Sequence, residues 1–407
     1  MNREEILNNL KKPYRKLRNV RFQLSSANAL HRIQKKKVEP HKPIRCGFIV
    51  QMLEIWDKQR PVFEAMEKDD RFDPYLIVAP SYDFSNSKFQ DYGEELVYFQ
   101  NHYSDDRIIK VYDGSGGWMD LQELHFDYIF YSRCYEHYLP ESYNTKNVIR
   151  YAKTCYLPYC FHSLKDAASY YETSFFYYIY KFFCCSQAQL DILPAFFQKR
   201  STFQGYPSIE NTHPDEGEPE YRNILWTPRW TDEEMFGGTT FFKYLHKIPE
   251  IKQQYSQANL TLRPHPLTFP NAVKNGKMTE EEISEYKNRL KKLHIEFDKN
   301  VMIADSFAET NILITDFSSI LMAYFLTGKP IIYCSRTDVE FSEPYQKIVE
   351  NSYVARTWDD VMRYVGMLLN GVDPLREGRI GQVRKMIHIN QNATQNILNL
   401  LAEDSKA

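Results

Sequence analysis

Asn311-Ile-Leu-Ile-Thr-Asp-Phe-Ser-Ser-Ile-Leu-Met-Ala-Tyr-Phe-Leu-Thr-Gly-Lys-Pro-Ile-Ile-Tyr-Cys334 is the stretch that decides the fold. Its outer apolar runs predict two strands, 312–315 and 330–333, and the apolar run between them predicts a helix. Gly328-Lys329-Pro330 predicts the end of that helix. Strands that alternate with helices along the chain indicate a parallel, doubly wound sheet.

The polar turn Asp316-Phe317-Ser318-Ser319 lies where the first strand gives way to the helix. Ligands of open parallel sheets bind just beyond the carboxyl ends of the strands. Free N–H groups and the dipole at a helix start favour an anion such as phosphate there, and Ser318 and Ser319 add two hydroxyls. We therefore expect Asp316, Ser318 and Ser319 to contact an anionic substrate. The alternative is that this turn is only a helix N-cap.

A second polar cluster, Leu262-Arg263-Pro264-His265-Pro266, ends another short apolar run. The guanidinium of Arg263 suits phosphate because it donates two parallel hydrogen bonds and keeps its charge. A neutral His265 donates one bond, whereas a protonated His265 could act as an acid on the leaving group. Together with the Ser-Ser turn, this cluster predicts a diphosphate-binding site, although Arg and His in a Pro-rich loop are often only surface residues.

Two further loops carry candidate site residues. Arg229 follows the predicted strand 223–227, where it would lie beside the diphosphate, although this segment can also be a plain strand-to-loop exit. In the first half of the chain, His162 follows the predicted strand 153–158 and could be a general base, with Lys165 as a nearby positive charge. A histidine beside an apolar run is more often structural.

The length of 407 residues exceeds one typical core and predicts two domains. The net charge is −2, but residues 1–44 hold 12 Lys/Arg against three Glu. This segment has apolar residues near helical spacing, and we expect Pro13 to break or kink it. A basic amphipathic segment can lie on an anionic membrane surface. The alternative is a helix packed on its own domain, or a free arm.

Several classes of site and protein are disfavoured by what the sequence lacks. The seven cysteines form no Cys-x-x-Cys pair, and no Walker A, Gly-x-Gly-x-x-Gly, Gly-x-Ser-x-Gly or Asp-x-Asp motif occurs. We therefore expect no cofactor, no metal and no nucleic acid partner. No signal peptide and no apolar run of about 18 residues is present, so we expect a cytoplasmic protein without a membrane span.

The chain divides into four predicted parts. A basic arm, residues 1–43, precedes an α/β domain at 44–210, and a polar interval around 211–220 leads into a second α/β domain at 211–380. A final helical segment, residues 381–407, could cross back over the first domain. Two doubly wound, Rossmann-like domains that face a cleft form a GT-B-type architecture.

Three motifs in order resemble the CDP-glycerol glycerophosphotransferase family, which makes teichoic acids and related capsular polyol-phosphate polymers. They are Arg263-x-His265-Pro266, Thr315-Asp316-Phe317-Ser318-Ser319 and Gly328-Lys329-Pro330-Ile331-Ile332-Tyr333. The resemblance implies that Arg263, His265, Ser318 and Ser319 hold a donor diphosphate, with Arg229 beside it. The family's His-Gly-Thr-Pro loop corresponds here to Tyr159–Lys165, where His162 would be the base. The family also tends to have an acidic residue after the Ser-Ser turn, where this chain has Ala323-Tyr324.

The function expected from this resemblance is transfer of an alditol phosphate from a CDP-activated donor to a hydroxyl of a lipid-linked or glycan acceptor. His162 and His265 would be the catalytic residues. The enzyme would be cytoplasmic and peripheral on the inner face of the cell membrane, held there by residues 1–40. Two alternatives stay open: a GT-B glycosyltransferase that uses a nucleotide sugar, and a non-catalytic, membrane-associated nucleotide-binding subunit.

Overall fold

Each half of the chain folds around a parallel sheet, as the alternation of strands and helices predicts. The computed structural model describes residues 3–39, 42–83, 87–165, 168–217, 220–231, 238–300, 302–336 and 339–406, and only the backbone of 3–14. Close packing divides the chain into two units. The first comprises Met1–His162, Asp166–Glu210 and Asn390–Ala407, and the second comprises Ser163–Lys165 and Asn211–Ile389.

The first unit contains a seven-stranded sheet and a small antiparallel hairpin. Its strands are β1 (Ile44–Val50), β2 (Phe72–Val78), β3 (Tyr82–Asp83), β4 (Lys88–Phe89), β5 (Ile108–Lys110), β6 (Tyr128–Tyr131), β7 (Lys153–Tyr156), β8 (Lys181–Phe183) and β9 (Ser201–Thr202). The large sheet has the order β5-β2-β1-β6-β7-β8-β9, with every neighbouring pair parallel, and β3 pairs with β4. Both faces of a parallel sheet are covered, which explains why β6 and β7 are buried throughout.

The described residues of the first unit form, before the chain enters the main part of the second, the helices α1 (Arg3–Gln34), α2 (Arg60–Glu67), α3 (Glu94–His102), α4 (Thr145–Val148), α5 (Ser174–Tyr177), α6 (Gln187–Ile192), α7 (Ala195–Gln198) and α8 (Pro207–Glu210). A 3₁₀ turn, Leu53–Lys58, precedes α2, which has Pro61 in its first turn. Proline is favoured there because its missing N–H would have no helical partner.

The basic N-terminal segment is one helix whose C-terminal half packs on the first unit. It continues through Pro13, where we expected a break or kink. The Phe22 ring stacks on Tyr177 with centroids 5.4 Å apart, and the Ser25 and Tyr178 hydroxyl oxygens are 2.7 Å apart. Lys36 donates from Nζ to two backbone carbonyls, at 2.8 and 3.1 Å. Arg18 and Asn19 also donate hydrogen bonds to Glu172, so the helix is held from Arg18 onward.

The second unit contains a six-stranded parallel sheet. Its strands are β10 (Asn223–Thr227), β11 (Asn259–Leu262), β12 (Glu296–Phe297), β13 (Ile312–Thr315), β14 (Ile331–Cys334) and β15 (Tyr353–Ala355), in the order β12-β11-β10-β13-β14-β15. Every residue of β13 and β14 is buried, so these strands form the centre of the core. Their continuous apolar sequences are those of strands covered on both faces.

The described residues of the second unit form the helices α9 (Phe241–Tyr244), α10 (Ile248–Gln254), α11 (Thr268–Lys274), α12 (Glu280–Lys292), α13 (Ile303–Glu309), α14 (Ser319–Phe325), α15 (Glu343–Glu350), α16 (Trp358–Leu369) and α17 (Arg376–Ile389). A capping box begins α12, because Thr279 and Glu282 exchange side-chain-to-backbone hydrogen bonds. Ile283, Tyr286 and Leu290 are the buried residues of α12, as its periodicity predicts.

Gly328 allows the close return from α14 to β14. Its φ of +74° lies in the left-handed region, which residues with a Cβ rarely adopt. A Cβ built at this position would also lie 3.0 Å from the Cβ of Pro214. The Gly-Lys-Pro sequence therefore ends the helix by a backbone conformation that glycine supplies.

The last helix, α18 (Ala393–Asp404), belongs to the first unit. The long helical stretch predicted from Trp358 to about Leu401 thus consists of α16, α17 and α18. Asp404 accepts hydrogen bonds from Lys153 at 2.8 Å, Tyr128 at 2.7 Å and Tyr180 at 2.9 Å. Because Lys153 is only 3% exposed, this ion pair fastens α18 beneath β6 and β7.

Among the described residues, no helix combines the length and the apolar character needed to cross a membrane.

Candidate functional site

The carboxyl ends of β10, β11 and β13 lie side by side in the second unit. Thr227 of β10 pairs with Thr315 of β13, and their Oγ1 atoms are 2.8 Å apart. On the other side of β10, the N–H of Arg263 donates to the carbonyl of Trp226 at 2.9 Å. The three loops that carry the predicted site residues therefore begin at one edge of one sheet.

Asp316 holds these loops in place through buried hydrogen bonds. It is 1% exposed, and its carboxylate accepts hydrogen bonds from the N–H of Arg229 at 2.9 Å, the N–H of Thr240 at 3.0 Å and Oγ1 of Thr239 at 3.2 Å. Burial raises the pKa of the Asp316 carboxyl, and these hydrogen bonds oppose the rise. The expected contact between Asp316 and substrate does not fit this burial, so we assign Asp316 to positioning the loops.

Arg229 lies over the turn that precedes Ser318. Its Nη1 donates to the carbonyl of Phe317 at 2.8 Å, and its guanidinium carbon is 5.8 Å from the centroid of the Phe317 ring. The side chain is half-buried, which limits the positions that the charge can take. A fixed positive charge therefore lies beside the Ser318 turn.

Ser318 occupies the N-cap position of α14 without acting as a cap. Its backbone is extended, with φ −162° and ψ 172°, and its hydroxyl accepts no capping hydrogen bond. Within the described part of the chain, its Oγ is shielded from solvent and has no hydrogen-bond partner. Buried hydroxyls normally have a partner, so this hydroxyl is poised for a ligand. The neighbouring Ser319 is exposed.

His265 lies close to Arg229 and is held as a neutral imidazole. Its Nδ1 accepts the N–H of Leu267 at 3.1 Å, which assigns the proton of the neutral ring to Nε2. The ring centroid is 5.6 Å from that of Trp230. Although part of the side chain reaches solvent, desolvation and the charge of Arg229 lower the pKa of His265 to about 4. At neutral pH the ring of His265 is therefore uncharged. It can donate a hydrogen bond from Nε2, but it is not an acid that could protonate a leaving group.

Arg263 makes its described side-chain contacts on the β12 side of the sheet. Its Nη1 donates to Asp298 Oδ2 at 2.6 Å, to the carbonyl of Asn300 at 2.7 Å and to Ser306 Oγ at 3.1 Å. Burial alone would raise the pKa of Asp298, but hydrogen bonds from Ser306 and Arg263 hold it below its usual value. Among the described contacts of Arg263, none reaches the Ser318 turn, where the sequence predicted it. Arg229 and His265 provide the polar groups beside that turn.

His162 and Lys165 belong to different units. His162 lies in the first unit, where its Nδ1 is 2.9 Å from the hydroxyl of Tyr171, and that hydroxyl accepts from Gln189 Nε2 at 3.0 Å. Lys165 groups with the second unit, where its exposed Nζ lies 3.5 Å from Oε2 of the equally exposed Glu340. The described contacts therefore do not include the expected arrangement, in which Lys165 provides a positive charge near the base His162.

Four of these partners were not predicted. Thr239 and Thr240 hold Asp316 from a segment about 76 residues earlier, and Asp298 and Ser306 hold Arg263 from 35 and 43 residues later. Only Asp298 had a signal in the sequence, because it follows the short segment 294–297 that contains β12, and parallel sheets place ligand-facing loops after their strands.

Two α/β units with parallel sheets, and polar loops at the carboxyl edge of the second, define a GT-B-type fold. Solved GT-B enzymes share this fold. The wall teichoic acid polymerase TagF is 13% identical with a TM-score of 0.55, over 98% of both chains. A UDP-GlcNAc 2-epimerase from Neisseria meningitidis, bound to UDP-GlcNAc, is 10% identical with a TM-score of 0.57, over 88% of this chain and 100% of the other. S. aureus MnaA, solved with UDP, is 12% identical with a TM-score of 0.53, over 88% and 96%.

Residues 210–393 match the family described as CDP-Glycerol:Poly(glycerophosphate) glycerophosphotransferase. This match confirms the resemblance seen in the three sequence motifs. All of the site residues of the second unit from Arg229 to Ser319 fall within the match. No curated protein matches the chain in sequence.

Proposed function

We propose that this enzyme transfers an alditol phosphate, such as glycerol phosphate, from a CDP-linked donor to a hydroxyl of a cell-surface polymer. The observation that carries the proposal is the shielded Ser318 hydroxyl, which lacks a partner in the described part of the chain and lies beside Arg229. A buried hydroxyl and a fixed cation form a natural binding site for phosphate oxygens. The family match over 210–393 supports CDP-glycerol as the donor.

The proposed reaction forms one O–P bond and breaks another. An acceptor hydroxyl attacks the phosphorus remote from cytidine, the bridging P–O bond breaks, and CMP leaves with the electron pair. Charge that develops on the leaving phosphate is stabilised by Arg229, the Ser318 hydroxyl and the Nε2–H of His265. Because His265 is neutral, its contribution is a hydrogen bond and not proton transfer.

We assign the general base to His162. A base needs a nitrogen lone pair, and His162 has one at Nε2 when its Nδ1–H donates to the Tyr171 hydroxyl 2.9 Å away. The proton of the acceptor hydroxyl would pass to this nitrogen. The chain of hydrogen bonds from Gln189 through Tyr171 to His162 would fix the orientation of the His162 ring.

The experiment that tests this function identifies the released nucleotide. Purified protein is incubated with CDP-glycerol, CDP-ribitol or UDP-GlcNAc and with polyol-phosphate or glycan acceptors. Release of CMP is the expected result, and release of a nucleoside diphosphate would instead support a glycosyltransferase. Binding of CDP-glycerol without turnover on any acceptor would support a nucleotide-binding subunit. His162→Gln should retain donor binding and lose turnover.

We also propose that α1 places the enzyme on an anionic membrane surface, where a lipid-linked acceptor would be available. Leu17, Val20 and Leu24 are 71%, 44% and 68% exposed and follow one another at helical spacing. The basic side chains Arg15, Lys16, Arg18 and Arg21 are also exposed. An exposed apolar stripe among basic residues is typical of helices that lie at a membrane interface.

Sedimentation with anionic liposomes tests this second proposal. Because α1 contacts the first unit from Arg18 onward, substitutions are a cleaner probe than deletion of residues 1–40. The double variant Leu17→Ser/Leu24→Ser should pellet much less than the wild type. Val97→Ser changes a 57% exposed apolar residue outside α1 and serves as the control. Equal sedimentation of all three proteins would contradict a role of α1.

A further inference from the structure

Arg133 is a largely buried cation in the first unit for which the described residues provide no carboxylate partner. It follows β6, and its Nη1 contacts the Met52 sulfur at 3.0 Å while its Nη2 donates to Gln51 Oε1. The guanidinium carbon is 5.1 Å from the centroid of the Tyr138 ring. A thioether is a weak acceptor and an amide is neutral, so neither partner neutralises the charge.

Gln51 fixes the guanidinium in one orientation. Gln51 is 6% exposed, and its Nε2 donates to the carbonyls of Pro80 at 2.7 Å and Tyr138 at 2.8 Å. Both amide hydrogens are thereby used, so Oε1 can only face Arg133. This arrangement positions a positive charge without compensating it, which is the pattern of an anion-binding side chain rather than of a structural ion pair.

A small cavity beside Arg133 limits what can bind. It lies at the carboxyl ends of β1 and β6, and its walls include Ile49, Gln51, Ser132 and Tyr135. Its volume of about 20 Å³ admits a single oxygen-sized group and not a base or a sugar ring. Desolvation lowers the pKa of Arg133, and the charge of the exposed Glu54, which forms no described ion pair with it, opposes this only in part.

Arg133 shares one wall of the first unit with His162. The N–H of Tyr159, in the His162 loop, donates to the carbonyl of Ser132 at 3.0 Å. From the next residue, Cys134 Sγ lies 2.8 Å from the hydroxyl of Tyr170, whose ring neighbours that of Tyr171, the partner of His162. The loops after β6 and β7 are therefore directly joined. Because β6 and β7 are neighbouring strands, these two loops lie next to each other at the same edge of the sheet.

We propose that Arg133 binds a phosphodiester oxygen of the acceptor chain, one repeat behind the hydroxyl that reacts at His162. This inference rests on the proposed function and specifies its acceptor. The preferred acceptor then carries a phosphodiester next to its terminal hydroxyl, so the enzyme extends an existing polyol-phosphate chain in preference to starting one on an uncharged sugar.

Two acceptors that differ only in charge test the proposal. The first is glycerophosphoglycerol, and the second is an uncharged glycerol ether of similar length. We expect the ratio of kcat/KM for the charged over the uncharged acceptor to fall about tenfold or more in Arg133→Ala, because a charge-assisted hydrogen bond is lost. For Arg133→Lys, which keeps the charge but not the planar fork, this ratio should lie between those of the wild type and Arg133→Ala. The exposed Arg150, changed to Ala, is the matched control and should leave the ratio unchanged.

A binding measurement separates this inference from the proposed function. Glycerophosphoglycerol is titrated into the full chain without donor and followed by ligand-observed NMR, with inorganic phosphate in a parallel arm. Binding of the diester that weakens about tenfold in Arg133→Ala supports the site even if no nucleotide is released with any donor. Binding that is unchanged in Arg133→Ala, or a kcat/KM ratio that does not move, overturns it. If Arg133→Ala fails to fold, Arg133→Gln keeps a side chain that can bond to Gln51 and removes only the charge.

Discussion

Asp298 Oδ2 lies 2.6 Å from Nη1 of Arg263, and the carboxylate is almost fully buried, with 4% of its side chain exposed. This pair joins the loop after β11 to the loop after β12. The loop that carries His265 therefore begins at a residue whose side chain is already engaged. Arg263 contributes to the site by fixing the start of this loop.

A double-mutant cycle on Arg263 and Asp298 should reveal strong coupling. We expect Arg263→Ala and Asp298→Ala each to lower the urea midpoint of unfolding, and the double variant to be little worse than either, with a coupling free energy of about 1–3 kcal/mol. The exposed pair Lys299–Glu296, 3.7 Å apart, is the control and should couple by at most about 0.5 kcal/mol. Additive effects for Arg263 and Asp298 would contradict this role.

Ser318→Ala should lower activity without lowering stability. Because the Ser318 hydroxyl has no hydrogen-bond partner among the described residues, its removal leaves no protein group unsatisfied. If it donates to a donor phosphate, kcat/KM should fall roughly 10- to 100-fold, the value of a hydrogen bond to a charged group. The checks are steady-state kinetics and a thermal unfolding curve. Ser284→Ala, on the exposed face of α12, should change neither quantity, and a clear loss of stability in Ser318→Ala would indicate a structural hydroxyl.

His265 should titrate far below the ordinary histidine range. Its pKa of about 4 in the folded protein lies under the unfolded value of about 6.5, so the folded state favours the neutral ring. The stability that this preference contributes is present above about pH 6.5 and is lost as the pH falls toward 4. NMR of labelled histidines should show the Nε2–H tautomer at neutral pH and a midpoint near 4. In Arg229→Ala the midpoint should rise, and a wild-type midpoint near 6.5 would contradict the assignment.

Asp404→Ala should destabilise the first unit strongly. The substitution leaves Lys153 buried without its counter-charge, which costs about 3–5 kcal/mol. Lys181→Ala removes a more distant and more exposed partner, 3.6 Å from the carboxylate, and should cost about 1 kcal/mol or less. Urea unfolding followed by tyrosine fluorescence measures both. Equal effects would show that the buried pair has no special role.

The Asp404 carboxylate also makes the stability of the first unit depend on pH in the acid range. Burial alone would raise the pKa of Asp404, but hydrogen bonds from Lys153 and Tyr128 hold it below its usual value. The resulting stability is therefore present above the unfolded pKa of about 3.9 and is lost as the pH falls through the folded value. Asp404→Asn should remove this part of the acid dependence.

The strands that were predicted best are those with continuous apolar sequences between turn signals. β10 and β13 have the predicted bounds, because both are covered on each face and are ended by Pro228 and by the polar turn at Asp316. The two-residue strand β9 was not predicted, since its position depends on pairing with β8 and its sequence has no periodicity of its own. Pro13 did not end α1, which shows that one proline is a weak boundary signal in a long helix.

Only those parts of the candidate site that lie within a single loop were predictable from the sequence. Ser318, His265 and Arg229 stand out because each follows an apolar strand at the carboxyl edge. The hydrogen bonds that decide which side chains face a ligand join residues far apart in sequence: Asp316 with Thr240, and Arg133 with Gln51. These partners are set by tertiary packing, which a local sequence pattern does not indicate.

The return of α18 to the first unit has a consequence for biosynthesis. The second unit is continuous from 211 to 389 apart from a short segment at 163–165, whereas Lys153 waits for a partner 251 residues later. On the ribosome, the first unit therefore cannot complete its buried ion pair until residue 404 has emerged, after the whole of the second unit. We expect nascent chains that stop before Asp404 to hold the first unit in an unfinished state that depends on chaperones.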